Sequence, residues 1–100
     1  MDVSDVAHGV GFATKVEVSN ALNDALAPLQ TEEEEYYDQR LYDALWLAHH
    51  YQSLDPRSSF TFTFDFLHHD KLAGKYVETS LRLRVEERKQ VLLLGLIQDF

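Results

Sequence analysis

Hydrophobic and polar residues alternate strictly in "FTFTFDF": Phe60, Phe62, Phe64 and Phe66 fall on one face, and Thr61, Thr63 and Asp65 on the other. A period of two predicts a half-buried antiparallel strand. The histidines and aspartate that follow, His68 to Asp70, read as its polar terminus. Alternation returns in "YVETSLRLRVEE", with Val77, Thr79, Leu81, Leu83 and Val85 inward and Glu78, Ser80, Arg82, Arg84 and Glu86 outward. "KLAGK" around Gly74 predicts the turn between them, and "ERK" a second turn into "QVLLLGLIQDF". This last segment is apolar on both faces, with Val91, Leu93 and Ile97 on one and Leu92, Leu94 and Leu96 on the other. An exposed apolar strand invites aggregation, so it needs cover. It is central in its sheet, or the N-terminal segment folds over it, or it meets another chain.

Upstream the period changes. "TEEEEYYDQRLYDALWLAHHYQS" predicts a long helix over 31–53, with Thr31 as N-cap and Glu34 completing a capping box. Four glutamates in its first turn favour the positive end of the helix dipole. Projected at about 100° per residue, Tyr37, Leu41, Ala44, Leu45 and Ala48 form a core-facing stripe. The other side carries Glu32, Glu35, Gln39, Asp43 and His50, interleaved with Tyr36, Tyr42 and Trp46. A solvent face normally lacks three large aromatics. Residues 1–30 predict short elements: a helix from Ser4 to about Gly9, a brief strand in "TKVEV", and a helix capped by Ser19 and limited by Pro28. The expected fold is α+β in one domain of two layers. A three-stranded antiparallel meander over 59–100 packs its phenylalanine face on the long helix.

Composition sharpens this picture at two points. The 100 residues include no cysteine, which excludes disulfides and thiolate chemistry. The start "MDVSDVAHGV" lacks the features of a secretory signal, and no apolar run is long enough to span a membrane, so a cytoplasmic location is expected. The formal net charge is −8, and it is unevenly placed. Residues 1–56 hold 11 acids and two bases, residues 57–100 six acids and seven bases. The first half therefore repels nucleic acid and anionic lipid and attracts a basic protein surface.

Catalytic chemistry finds little support. Adjacent histidines on a strand point to opposite faces, and His49 and His50 on the helix lie about 100° apart. No zinc-ligand spacing such as H-E-x-x-H occurs, and a site shared by His50, His68 and Asp70 would have to be assembled across elements. No serine sits in a nucleophile elbow, and Gly9 and Gly11 do not make a phosphate loop. The expectation is a binding protein rather than an enzyme, with no metal and no cofactor.

Four segments in order, "VSDVAHGVGF", "KVEVSNAL", "RLYDALWLA" and "YVETSLRLRV", resemble an uncharacterised domain of small plasmid- and phage-borne bacterial proteins. The resemblance implies a mobile-element setting and supplies no catalytic residues. By analogy of size, charge and setting it implies an anti-CRISPR-like, anti-defence protein. The expected function is stoichiometric inhibition of a host nucleic-acid-handling protein, with Glu32, Glu35, Tyr36, Gln39, Tyr42, Asp43 and Trp46 as the binding face. The alternative is an accessory protein of a mobile element, dimerised through Leu92, Leu94 and Leu96.

Overall fold

A computed structural model of the chain describes residues 1–28, 35–70 and 73–100, without the side chains of Glu35 and Asp70. The proposed cap at Thr31, its partner Glu34 and the candidate Glu32 lie outside the described residues. Among those residues the order is α1 (Ser4–Val10), β1 (Lys15–Val18), α2 (Asn20–Leu26), α3 (Glu35–Leu54), β2 (Ser59–Asp70), β3 (Lys75–Arg88), β4 (Val91–Leu96) and a closing 3-10 turn, Ile97–Asp99.

The fold is α+β, but the sheet is mixed and has four strands, in the order β1-β4-β3-β2. β2, β3 and β4 form the expected antiparallel meander, and β1 adds to β4 in parallel. Burial drives that addition. Val16 and Val18 are level with Leu92 and Leu94, and all four side chains lie in the core. β4 is thus central, which accounts for its apolar character. Leu92 and Leu94 are 2% and 1% exposed and Leu96 is half-buried, so these leucines pack into the core of the chain itself. The outer edge of β1 is covered too: Val3 N–H donates to Val16 O at 2.9 Å, and Val18 N–H to Met1 O at 2.8 Å.

The helices cover the valine-leucine-phenylalanine face. Leu41, Ala44, Leu45 and Ala48 of α3 are buried there with Phe62, Phe64, Leu83 and Val85, and Tyr37 packs against them half-buried. Ser19 caps α2 by accepting from Leu22 N–H at 3.0 Å. α1 ends at Gly11 rather than Gly9, because Gly11 takes φ 130° and its N–H returns to Ala7 O and His8 O. The hairpin outruns the helix layer. Fourteen residues of β3 span roughly 46 Å, close to the 45 Å long axis of the molecule. Twenty residues of α3 span only about 30 Å. Val77, expected inward, is therefore exposed near the hairpin tip, and His68, His69 and Asp70 form the polar end of β2, as their sequence predicts.

Two ends were misplaced by the sequence pattern. The β3–β4 turn is Lys89–Gln90, both with positive φ, one step beyond "ERK". A two-residue turn of that kind usually carries Asn-Gly, and neither is present to signal it. β4 stops at Leu96 because the chain folds back over Gly95. Asp99 Oδ2 accepts from Leu96 N–H at 2.7 Å and from Ser19 Oγ at 2.5 Å. A Cβ on Gly95 would lie 2.9 Å from that carboxylate oxygen and 3.1 Å from both Phe100 and Ser19 Oγ.

Arg40 is the one buried charged side chain among the described residues, 5% exposed. Its guanidinium donates to Leu26 O at the end of α2 (3.2 Å) and to Leu67 O on β2 (3.0 Å). It also lies 4.9 Å from the Phe66 ring centroid and 5.6 Å from that of Tyr36. Charged hydrogen bonds to main-chain carbonyls join α2, α3 and β2 at one point.

Two consequences are measurable by urea unfolding. Arg40→Met keeps the volume but leaves both carbonyls without their donor, and is expected to lower stability by about 3 kcal/mol. Gly95→Ala is expected to cost about 1–3 kcal/mol, with the loss reduced in an Asp99→Ala background, where the closest oxygen is gone.

Candidate functional site

α3 turns its polar side away from the sheet, as its periodicity predicts. Tyr42 is 44% exposed and Trp46 50%. They sit four residues apart and so share a row. Gln39 and Asp43 are exposed beside them, joined by a Gln39 Nε2–H donation to Asp43 Oδ1 at 2.9 Å. The Trp46 ring stacks on His50, with centroids 5.3 Å apart and planes 6° from parallel. Gln39, Tyr42, Asp43 and Trp46, with His50 beneath the indole, form one aromatic and anionic surface.

Of the remaining predicted members, Tyr36 does not join it. Tyr36 is half-buried beneath the Arg40 guanidinium and contributes to packing. The side chain of Glu35 and all of Glu32 are outside the described residues. Tyr37, on the opposite flank, donates its hydroxyl to Asn23 Oδ1 and ties α3 to α2. Burial and the nearby Asp38 charge push its phenol above the ordinary value.

The layers differ in charge balance, because the strands hold carboxylates (Glu17, Asp65, Glu78, Glu86, Glu87) as well as cations. Among the described residues, the helices expose Asp5, Asp24, Asp38 and Asp43, and their single arginine is the buried Arg40. Lys15, Lys75, Arg82, Arg84 and Arg88 all belong to strands. On the outer face of the sheet, Arg88 Nε lies 3.0 Å from Glu86 and Arg84 Nε 3.6 Å. The Arg88 hydrogen bond, followed by the Arg88 and Arg84 charges, holds the Glu86 carboxyl below its ordinary value. Arg82 donates to Thr61 and Thr63 hydroxyls at 3.1 and 3.0 Å. Arg82, Arg84 and Arg88 on the sheet face are thus engaged in local pairs, whereas the carboxylates of the helix layer face outward.

The histidines serve as flat packing surfaces. His49 meets Phe12 edge-on at 5.0 Å, His68 meets Phe66 at 5.0 Å, and His69 lies on Tyr76 at 4.7 Å. Among the described residues no three histidine, aspartate or glutamate side chains are grouped so as to hold a metal ion. Asp70, the third member of the cross-element site, has its side chain outside that set. Ser19 and Asp99 are close, but Ser19 Oγ already donates to Asp99 and accepts from Leu22 N–H, which makes the pair a structural clasp.

One part of the surface was missed by sequence reasoning. A groove between α3 and the edge of β2 is lined by Asp43, Trp46 and Leu47 from the helix and Thr63, Phe64 and Asp65 from the strand. The available signal was β2 itself, a long alternating segment with neither lysine nor proline to guard an edge.

No protein-family model, characterised protein or solved structure matches the chain. Among the described residues no helix is long and apolar enough to cross a membrane.

Trp46 is the only tryptophan of the chain, so its fluorescence reports this surface alone. Acrylamide is expected to quench the native protein almost as efficiently as the urea-unfolded chain. Strong native protection would show that the ring is covered.

Proposed function

We propose that the chain is a binding protein that presents the outer face of α3 to a cationic protein surface. One observation carries this reading. The exposed charged side chains described on the helix layer are all carboxylates, and Tyr42 and Trp46 stand exposed among them. Half-exposed tryptophan and tyrosine are typical interface anchors, because they bury much area for little conformational entropy. Carboxylates around them select a basic partner and accelerate encounter.

A basic, solvent-facing surface is what nucleic-acid-handling proteins keep for phosphates. Combined with the resemblance to small phage- and plasmid-borne proteins, this supports a stoichiometric inhibitor of a host defence complex of the CRISPR type, which acts by occupying the phosphate-binding surface. The partner is a host protein, and the chain itself repels nucleic acid.

The test is inhibition of CRISPR interference in cells, together with capture of the effector by the purified chain. Glu32→Lys/Glu35→Lys/Asp43→Lys is expected to abolish inhibition while its circular dichroism stays native. Trp46→Ala is expected to weaken capture by about 30-fold or more, as for a hot-spot anchor. Full inhibition by the triple variant sinks this reading.

A further inference from the structure

Among the described residues, nothing covers the β2 edge of the sheet. The opposite outer strand, β1, has residues 1–3 hydrogen-bonded along it; β2 has, among the described residues, a strand neighbour on one side, β3. The direction of its main-chain groups follows from two bonds. Glu87 N–H donates to Ser58 O at 2.7 Å, and the register pairs Ser59 with Glu86. In an antiparallel ladder, Ser58, Phe60, Phe62 and Phe64 therefore exchange bonds with β3, while the residues between them point N–H and C=O away from it. Leu67 confirms the phase, because its outward carbonyl is the one that Arg40 reaches, at 3.0 Å. Thr61, Thr63 and Asp65 thus present their N–H and C=O groups along an edge where no bond from another described residue meets them. Their spacing is about 7 Å, the repeat of an added strand.

Two grooves follow this edge on its helix side. One holds Tyr51, Asp55 and Phe60 beside Thr61; the next holds Asp43, Trp46 and Phe64 beside Thr63 and Asp65. Each joins an exposed aromatic ring to a carboxylate. That combination suits a lysine or arginine, whose stem lies on the ring while its head reaches the carboxylate. In the first groove Arg57 sits 2.8 Å from Asp55 and shares that carboxylate with any incoming cation.

We infer that the β2 edge takes up an extended, basic segment of a partner protein as an additional strand, with alternate cationic side chains entering the two grooves. A second copy of this chain is disfavoured by charge. Pairing β2 with itself would bring Asp43, Asp55 and Asp65 of both copies to one seam, on molecules of net charge −8 each. The inference rests on the reading of the helix face as a cation-binding surface and adds the main-chain ladder that fixes how the partner lies.

The experiment uses the full chain and three peptide probes: a heptapeptide of alternating lysine and valine, the same peptide N-methylated at every residue, which removes the N–H groups facing β2 in either strand direction, and its glutamate counterpart. Amide hydrogen exchange and Trp46 fluorescence are the readouts. The lysine-valine peptide is expected to bind with a Kd on the order of 100 μM or tighter. It should slow exchange at Thr61, Thr63 and Asp65 and leave Phe62 and Phe64, already bonded to β3, unchanged. N-methylation, or Thr63→Pro in a variant whose native circular dichroism is verified, should weaken binding at least about tenfold. The glutamate peptide should not bind. Equal binding of the N-methylated peptide overturns strand addition while leaving the helix-face reading intact. Absence of binding at millimolar lysine-valine peptide overturns it as well. A concentration-dependent dimer that Thr63→Pro dissociates would identify a second copy as the occupant and overturn the choice of partner.

Discussion

A guanidinium buried where α2 ends and the outer strand of the sheet passes is the point on which the rest of the architecture turns. Arg40 cannot be solvated where it lies, so the chain must bring acceptors to it, and it brings carbonyls from two separate elements. Satisfying it sets the height of α3 above β2 and the point along β2 at which the helix sits. Phenylalanine packing alone would leave that position soft, because apolar contacts are not directional. With Arg40 anchored, Leu41, Ala44, Leu45 and Ala48 fall over Phe62 and Phe64, and Tyr42, Asp43 and Trp46 are turned to the outside. The candidate surface is a by-product of where that arginine has to be.

How much of this was legible in the sequence depended on whether a feature was local. The period of the phenylalanines, the stripe on α3 and the Ser19 cap are local patterns, and each element formed where its pattern lay. The parallel pairing of β1 was not legible, since "KVEV" carries an alternation but no mark of which strand it will join. Its partner is decided by the apolar surplus of β4, far along the chain. The buried position of Arg40 was equally hidden, because arginine on a helix normally faces water and only the assembled fold reveals the carbonyls waiting for it. The pattern places the β3–β4 turn one residue early, at "ERK", for the opposite reason: Lys89 and Gln90, which disfavour positive φ, adopt it because the flanking strands require the reversal there.

On the candidate surface, the carboxylates and aromatics of α3 were foreseen from spacing, and Gln39, Tyr42, Asp43 and Trp46 do stand together. Tyr36 did not join them, since its position on the helix turns it toward the β2 flank, where the arginine claims its ring. The groove beside β2 emerges only when strand order is known, because a strand is an edge by virtue of its neighbours and not of its own residues.

The difference in charge balance between the layers also shapes how the molecule moves before it touches anything. A body with bare carboxylates on one broad side and a charge-balanced sheet on the other has an electric moment as well as a net charge. Near a cationic surface it experiences a torque, not only a pull, and rotates so that its helices lead. Collisions are therefore sorted by orientation during diffusion, and the wrong face rarely arrives first. Added salt shortens the range over which that turning acts to about a Debye length, so the sorting fades before short-range contacts do.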